Sequence, residues 1–89
     1  MIHQTRERLY WSCRRGMLEL DLMLIPFLND CYDALNSEEK EQFLLLLESS
    51  DVELYAWLTH HEKPSSPSFE KLVIKIREHA HDPRRNRSF

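Results

Sequence analysis

Apolar residues recur along this chain at three- and four-residue spacings, and no stretch alternates as a half-buried strand would. The clearest stripe lies near the C-terminal end, where Phe69, Leu72, Val73 and Ile76 fall at i, i+3, i+4 and i+7. Between 20 and 28 the pattern changes: Leu20, Leu22, Met23, Leu24, Ile25, Phe27 and Leu28 are apolar nearly all round, the mark of a central, enclosed helix. The spacing predicts five helices. The first runs from a Thr5 cap to about Cys13, with Leu9 and Tyr10 available to the core. The second covers about 17–35 and bends at Pro26, which removes one backbone hydrogen bond. The third starts from a Ser37 cap and reaches about Leu47, turning Phe43, Leu44, Leu46 and Leu47 inward. Glu38 and Glu39 meet the positive end of its dipole. The fourth starts from an Asp51 cap and continues through Leu58, with Trp57 in the core. Residues 60–68, with Pro64 and Pro67, predict a loop, and Ser66 or Ser68 caps the fifth helix. The expected fold is all-α, a single small bundle of five short helices over residues 1–81, followed by a polar and mobile tail over 82–89.

Length and composition narrow the picture. Eighty-nine residues allow one domain with a modest core. The first residues, Met1-Ile2-His3-Gln4-Thr5-Arg6-Glu7, lack the apolar run of a signal peptide, and the longest apolar run, 22–28, is far short of a membrane span. The chain therefore reads as cytoplasmic, without membrane insertion, and Cys13 and Cys31 as reduced thiols. Neither cysteine stands in metal-ligand spacing with His60, His61, His79 or His81, so no metal site is expected. Cys13 has no base at a fixed offset. Glu19 and Asp21, two apart on a helix, point different ways and form no acid/base pair. Catalysis by this chain alone is not expected.

Charge is unevenly placed. Residues 16–62 hold eleven acids against Lys40 alone, whereas residues 1–15 and 63–89 are net basic. An acidic body disfavours nucleic acid, although Arg84, Arg85 and Arg87 leave open a nucleic-acid-linked role. At usual frequencies such a chain would contain about six glycines; it has one, Gly16, directly after Arg14 and Arg15. Glycine reaches positive φ and admits the close approach of another backbone. Two readings follow for this junction. It is a contact patch, with Trp11 as an aromatic anchor beside arginines, or it is a tight helix–helix turn, with Arg15 and Glu19 forming a surface i, i+4 ion pair.

Arg15-Gly16-x-x-Glu19, set within Cys13-Arg14-Arg15-Gly16-Met17-Leu18-Glu19-Leu20-Asp21, resembles the RGxxE signature of the succinate dehydrogenase flavinylation factors. This is the SdhE/YgfY family, whose mitochondrial relatives are called succinate dehydrogenase assembly factor 2. The likeness continues through Ile25-Pro26-Phe27, Tyr32-Asp33-x-Leu35, Ser37-Glu38-Glu39-Lys40, 43–47, and 51–58 leading to Lys63-Pro64. It departs at Glu62, where the family favours a glycine helix stop. The resemblance implies a five-helix bundle that helps attach FAD covalently to the flavoprotein subunit of succinate dehydrogenase, with that of fumarate reductase as a second candidate client. The bond joins a client histidine to the flavin 8α-methyl carbon, so the FAD belongs to the client and the factor holds none stably. Orientation of the reacting groups can contribute up to ~7–11 kcal/mol in well-placed systems. The family's motif maps onto Arg15, Gly16 and Glu19. Gly16 is then expected to press against the client, Arg15 to face a client carboxylate or the flavin, and Glu19 to position Arg15 or accept a client donor. Neighbours expected to widen the patch are Arg8, Trp11, Arg14, Met17 and Asp21. Some relatives have been labelled antitoxins, which supplies the alternative of a helical regulatory protein of the antitoxin or nucleic-acid-linked type.

Overall fold

A computed structural model describes residues 5–64 and 66–82. Among these, five α-helices and one short 3-10 turn are joined without any strand: α1 (Arg6–Cys13), α2 (Leu18–Cys31), the 3-10 turn Tyr32–Ala34, α3 (Ser37–Leu46), α4 (Asp51–Leu58) and α5 (Pro67–His81). The all-α bundle expected from the spacing is what forms. Beyond Asp82, the expected tail lies outside the described residues.

The helix starts show how local chemistry sets boundaries. Asn36, rather than Ser37, caps α3, and Ser50, rather than Asp51, caps α4; each accepts from the backbone of a glutamate three residues on (Glu39, Glu53). Those glutamates reach back to the cap's own N–H, closing capping boxes. The reciprocal glutamate must sit three residues after the cap, which moves both starts one residue earlier than expected. Asp51 is thereby released from capping. Ser66 caps α5, with Pro67 in the first turn where its missing N–H costs nothing. Thr5 caps α1 as expected.

Two helix ends differ from expectation. The second helix passes through Pro26 but stops at Cys31, four residues early, and tightens into the 3-10 turn, closed by Leu35 N–H donating to Tyr32 O at 3.1 Å. Asn36 needs extended backbone to cap α3, so the chain must leave the helix before it. Helix α4 ends in a left-handed residue at His60 (φ 68°), and the His61 N–H bonds back to Ala56 O at 2.8 Å. This is the usual glycine-type stop made without glycine. The departure at Glu62 therefore leaves the helix end intact.

Helix α2 is the centre. Leu20, Leu24, Ile25, Pro26, Phe27 and Leu28 are sealed from solvent, with Phe43 of α3 and Leu54 of α4 equally buried. The Phe27 and Phe43 rings meet at 5.6 Å. Helix α5 adds Leu72, Val73 and Ile76, as its stripe required, and Trp57 is a core residue packed against Phe69. Arg6, at the start of α1, reaches Leu28 O (3.0 Å) and Asp33 (2.8 Å) near the end of α2. Helices α1 and α2 are therefore an antiparallel pair, and the segment joining them, residues 14–17, stands at one end of the central helix.

Candidate functional site: the junction between the first two helices

Residues 14–17 turn the chain between two helices in four residues. Arg14 ends α1 in extended conformation, its N–H bonded to Tyr10 O at 2.9 Å. Gly16 then takes φ +77°, a left-handed conformation that L side chains rarely adopt. A β-carbon built there meets no atom within 4 Å. The dihedral calls for glycine, as a tight turn requires, and the space over its α-carbon is open. Met17 precedes α2 without a side-chain cap. The carboxylate of Asp21, one turn into the helix, reaches back instead, accepting from Arg15 N–H at 2.7 Å and pairing with Arg14 Nε at 3.3 Å.

The Arg15 side chain turns into the protein. Its Nε donates to Asp51 Oδ1 (2.9 Å), Nη1 to Ser12 O (2.7 Å) and Leu47 O (3.0 Å), and Nη2 to Ser49 O (2.6 Å). The side chain is only 15% exposed. The structure thus corrects the expectation that Arg15 faces outward, and the i, i+4 pair with Glu19 does not form. Glu19 is exposed in the first turn of α2, where its charge favours the dipole, and makes no ion pair with a described residue. Asp21, expected on the patch, is buried beneath it at 4% exposure; three apolar neighbours on α2 turn that face to the core. Glu19 and Asp21 do point different ways.

What remains outside is a compact set in sequence. Arg8, Trp11, Arg14, Gly16, Met17 and Glu19 are all exposed. Trp11 is 62% exposed with its ring edge-on to Tyr10, and Leu18, which the sequence reading passed over, is 66% exposed. Leu18 had no distinguishing signal, because it begins a helix that is apolar nearly all round. Asp51 and the carbonyls of Leu47 and Ser49 were also missed, since nothing local links them to residue 15. Among the described residues, three of the six large exposed apolar side chains, Trp11, Met17 and Leu18, flank Gly16 within eight residues. Isolated exposed apolar residues are ordinary, whereas these three stand close together in sequence around one turn.

The thiols lie elsewhere. Cys13 is fully buried, and burial pushes its pKa up to about 12. Cys31 is half-buried, raised chiefly by burial and next by Asp30; it lines an open depression with Phe27, Leu35, Lys75 and His79 at the far end of α2 from Gly16. Among the described residues, no three His, Cys, Asp or Glu side chains group as metal ligands, and no helix is long and apolar enough to cross a membrane.

The fold and the junction define a class: a small α-helical protein with exposed Trp11, Met17 and Leu18 around one charged, glycine-bearing turn. Residues 7–80 match the family described as "Flavinator of succinate dehydrogenase" (Sdh5). The chain is 41% identical over 76 residues to a Vibrio cholerae protein named "FAD assembly factor SdhE", covering 85% of this chain and 88% of that protein. A Photobacterium profundum protein of the same name is 43% identical over 74 residues, covering 83% and 84%. A solution structure described as a UPF0350 protein superposes with a TM-score of 0.71 at 40% identity, covering 89% of this chain and 85% of that one. The chain belongs to the succinate dehydrogenase flavinator family.

Proposed function

We propose that this protein is an FAD assembly factor that promotes covalent attachment of FAD to the flavoprotein subunit of succinate dehydrogenase in the cytoplasm, docking on it through the surface around Gly16. Family membership supports the client and the cofactor. The observation that carries the docking surface is the open space over Gly16, flanked by exposed Trp11, Met17 and Leu18. Arg8, Arg14 and Glu19 supply charges at its rim, where they select a partner more than they tighten it. The fumarate reductase flavoprotein is a second client under the same reading. This chain supplies no catalytic group and keeps no FAD of its own: its part is to hold the client so that histidine and flavin meet in reactive geometry. The regulatory or nucleic-acid-linked alternative has no support in the family match.

The experiment is in-gel flavin fluorescence of the denatured flavoprotein subunit, matured with FAD in the presence or absence of this protein, alongside Trp11→Ala. Because Trp11 is mostly solvent-exposed, its truncation should leave the fold intact. Fluorescence that depends on the protein and falls with Trp11→Ala supports both the function and the surface. Equal fluorescence with and without the protein refutes the function, and full activity of Trp11→Ala refutes the surface.

A further inference from the structure

Arg15 has a guanidinium with five N–H donors, and four are already used inside the chain. The acceptors come from three elements. Ser12 O belongs to the last turn of α1, Leu47 O and Ser49 O lie at and just past the end of α3, and Asp51 opens α4. Helix ends expose carbonyls without intrahelical partners and carry the negative end of the dipole, so two such ends and a carboxylate form a cradle for a cation. A planar fork can bond all of these groups at once; the ammonium of lysine, a compact charge with three donors, cannot. Swinging the side chain out toward a partner would strip hydrogen bonds from three carbonyls and leave Asp51 without its cation.

We infer that Arg15 serves the docking surface as a positioning residue, and that Asp51 and the α3–α4 connection are its anchor, setting where Gly16 stands. The backbone of residue 15 is held from the other side, its N–H by Asp21, so the residue before the glycine is fixed at both its amide and its side chain. The motif arginine then acts through the loop it holds, and residues 47–51, distant in sequence, become part of the functional unit. This rests on the proposed docking surface, and the test separates the two.

The test is a double-mutant cycle on affinity for the isolated flavoprotein subunit, using Arg15→Lys, Asp51→Ala and the double variant. Each single change is expected to weaken binding by about tenfold, and the double variant to stay within about threefold of the weaker single, because both changes release one clamp. Losses that multiply to about a hundredfold would show two independent contacts and overturn the inference. So would unchanged affinity in Arg15→Lys with only the melting temperature lowered. Amide hydrogen exchange on Asp51→Ala alone guards against a double variant that fails to fold. Exchange is expected to rise at the Arg15 amide, the one Asp21 holds, while Leu24, Ile25, Phe27 and Leu28 stay protected; unchanged exchange at Arg15 overturns the clamp. If the unmodified protein does not bind the subunit, the proposed function falls, and the exchange experiment still decides the clamp.

Discussion

Gly16 is the position where stability and function can be pulled apart by substitution. Its φ of +77° sets the cost of any β-carbon, and the absence of atoms within 4 Å of that carbon removes any steric term from the chain itself. A left-handed L residue costs about 1–2 kcal/mol. Removing glycine also stiffens the unfolded chain, which returns about 0.4–1 kcal/mol. Gly16→Ala should therefore destabilise by about 0.5–1 kcal/mol, a fall in Tm of roughly 5 °C for a domain of this size. Gly16→Arg carries the same backbone cost, and its β-carbon likewise meets no atom within 4 Å, so its stability should lie close to that of Gly16→Ala. Gly16→Asn should cost least, since asparagine tolerates the left-handed region. The assay pairs thermal unfolding by circular dichroism with in-gel flavin fluorescence of the client. If a partner presses on Gly16, Arg and Ala variants of equal Tm must differ widely: Gly16→Arg should abolish client flavinylation and Gly16→Ala should retain a substantial part. Flavinylation that simply follows Tm across the three variants would refute close approach and leave Gly16 as a turn residue.

Two further outcomes are expected elsewhere. His60, left-handed at φ 68° and tied to Arg77 at 2.7 Å by an exposed contact, should be improved by His60→Gly. The gain is roughly 0.5 kcal/mol by urea unfolding, and a loss of stability would show that the Arg77 contact outweighs the backbone strain. Cys13, sealed in the core with its pKa raised to about 12, should resist a disulfide reagent at pH 8 until the protein unfolds, while half-buried Cys31 reacts first; equal rates in the native state would contradict the packing of α1 on α2.

The sequence by itself determined the helices and their inward faces. Leu72, Val73 and Ile76 had to face one way because 3.6 residues make a turn, and the apolar belt of α2 had to be enclosed because no polar face was available to water. Caps were legible to within one residue, since capping is chemistry between neighbours three apart. Gly16 stood out by scarcity alone. The tertiary structure decided what the junction's charges do. Spacing offered Arg15 a partner at Glu19, but a surface i, i+4 pair contributes only a few tenths of a kcal/mol. The cradle made by Ser12, Leu47, Ser49 and Asp51 gives the same guanidinium four bonds in a largely enclosed place, and its acceptors lie up to 36 residues away. Asp21 sank beneath the surface for the same kind of reason: α2 begins without a side-chain cap, and the amide of Arg15 needed an acceptor. Helical spacing acts over a few residues and is written locally, whereas a charge settles wherever folding brings enough acceptors together.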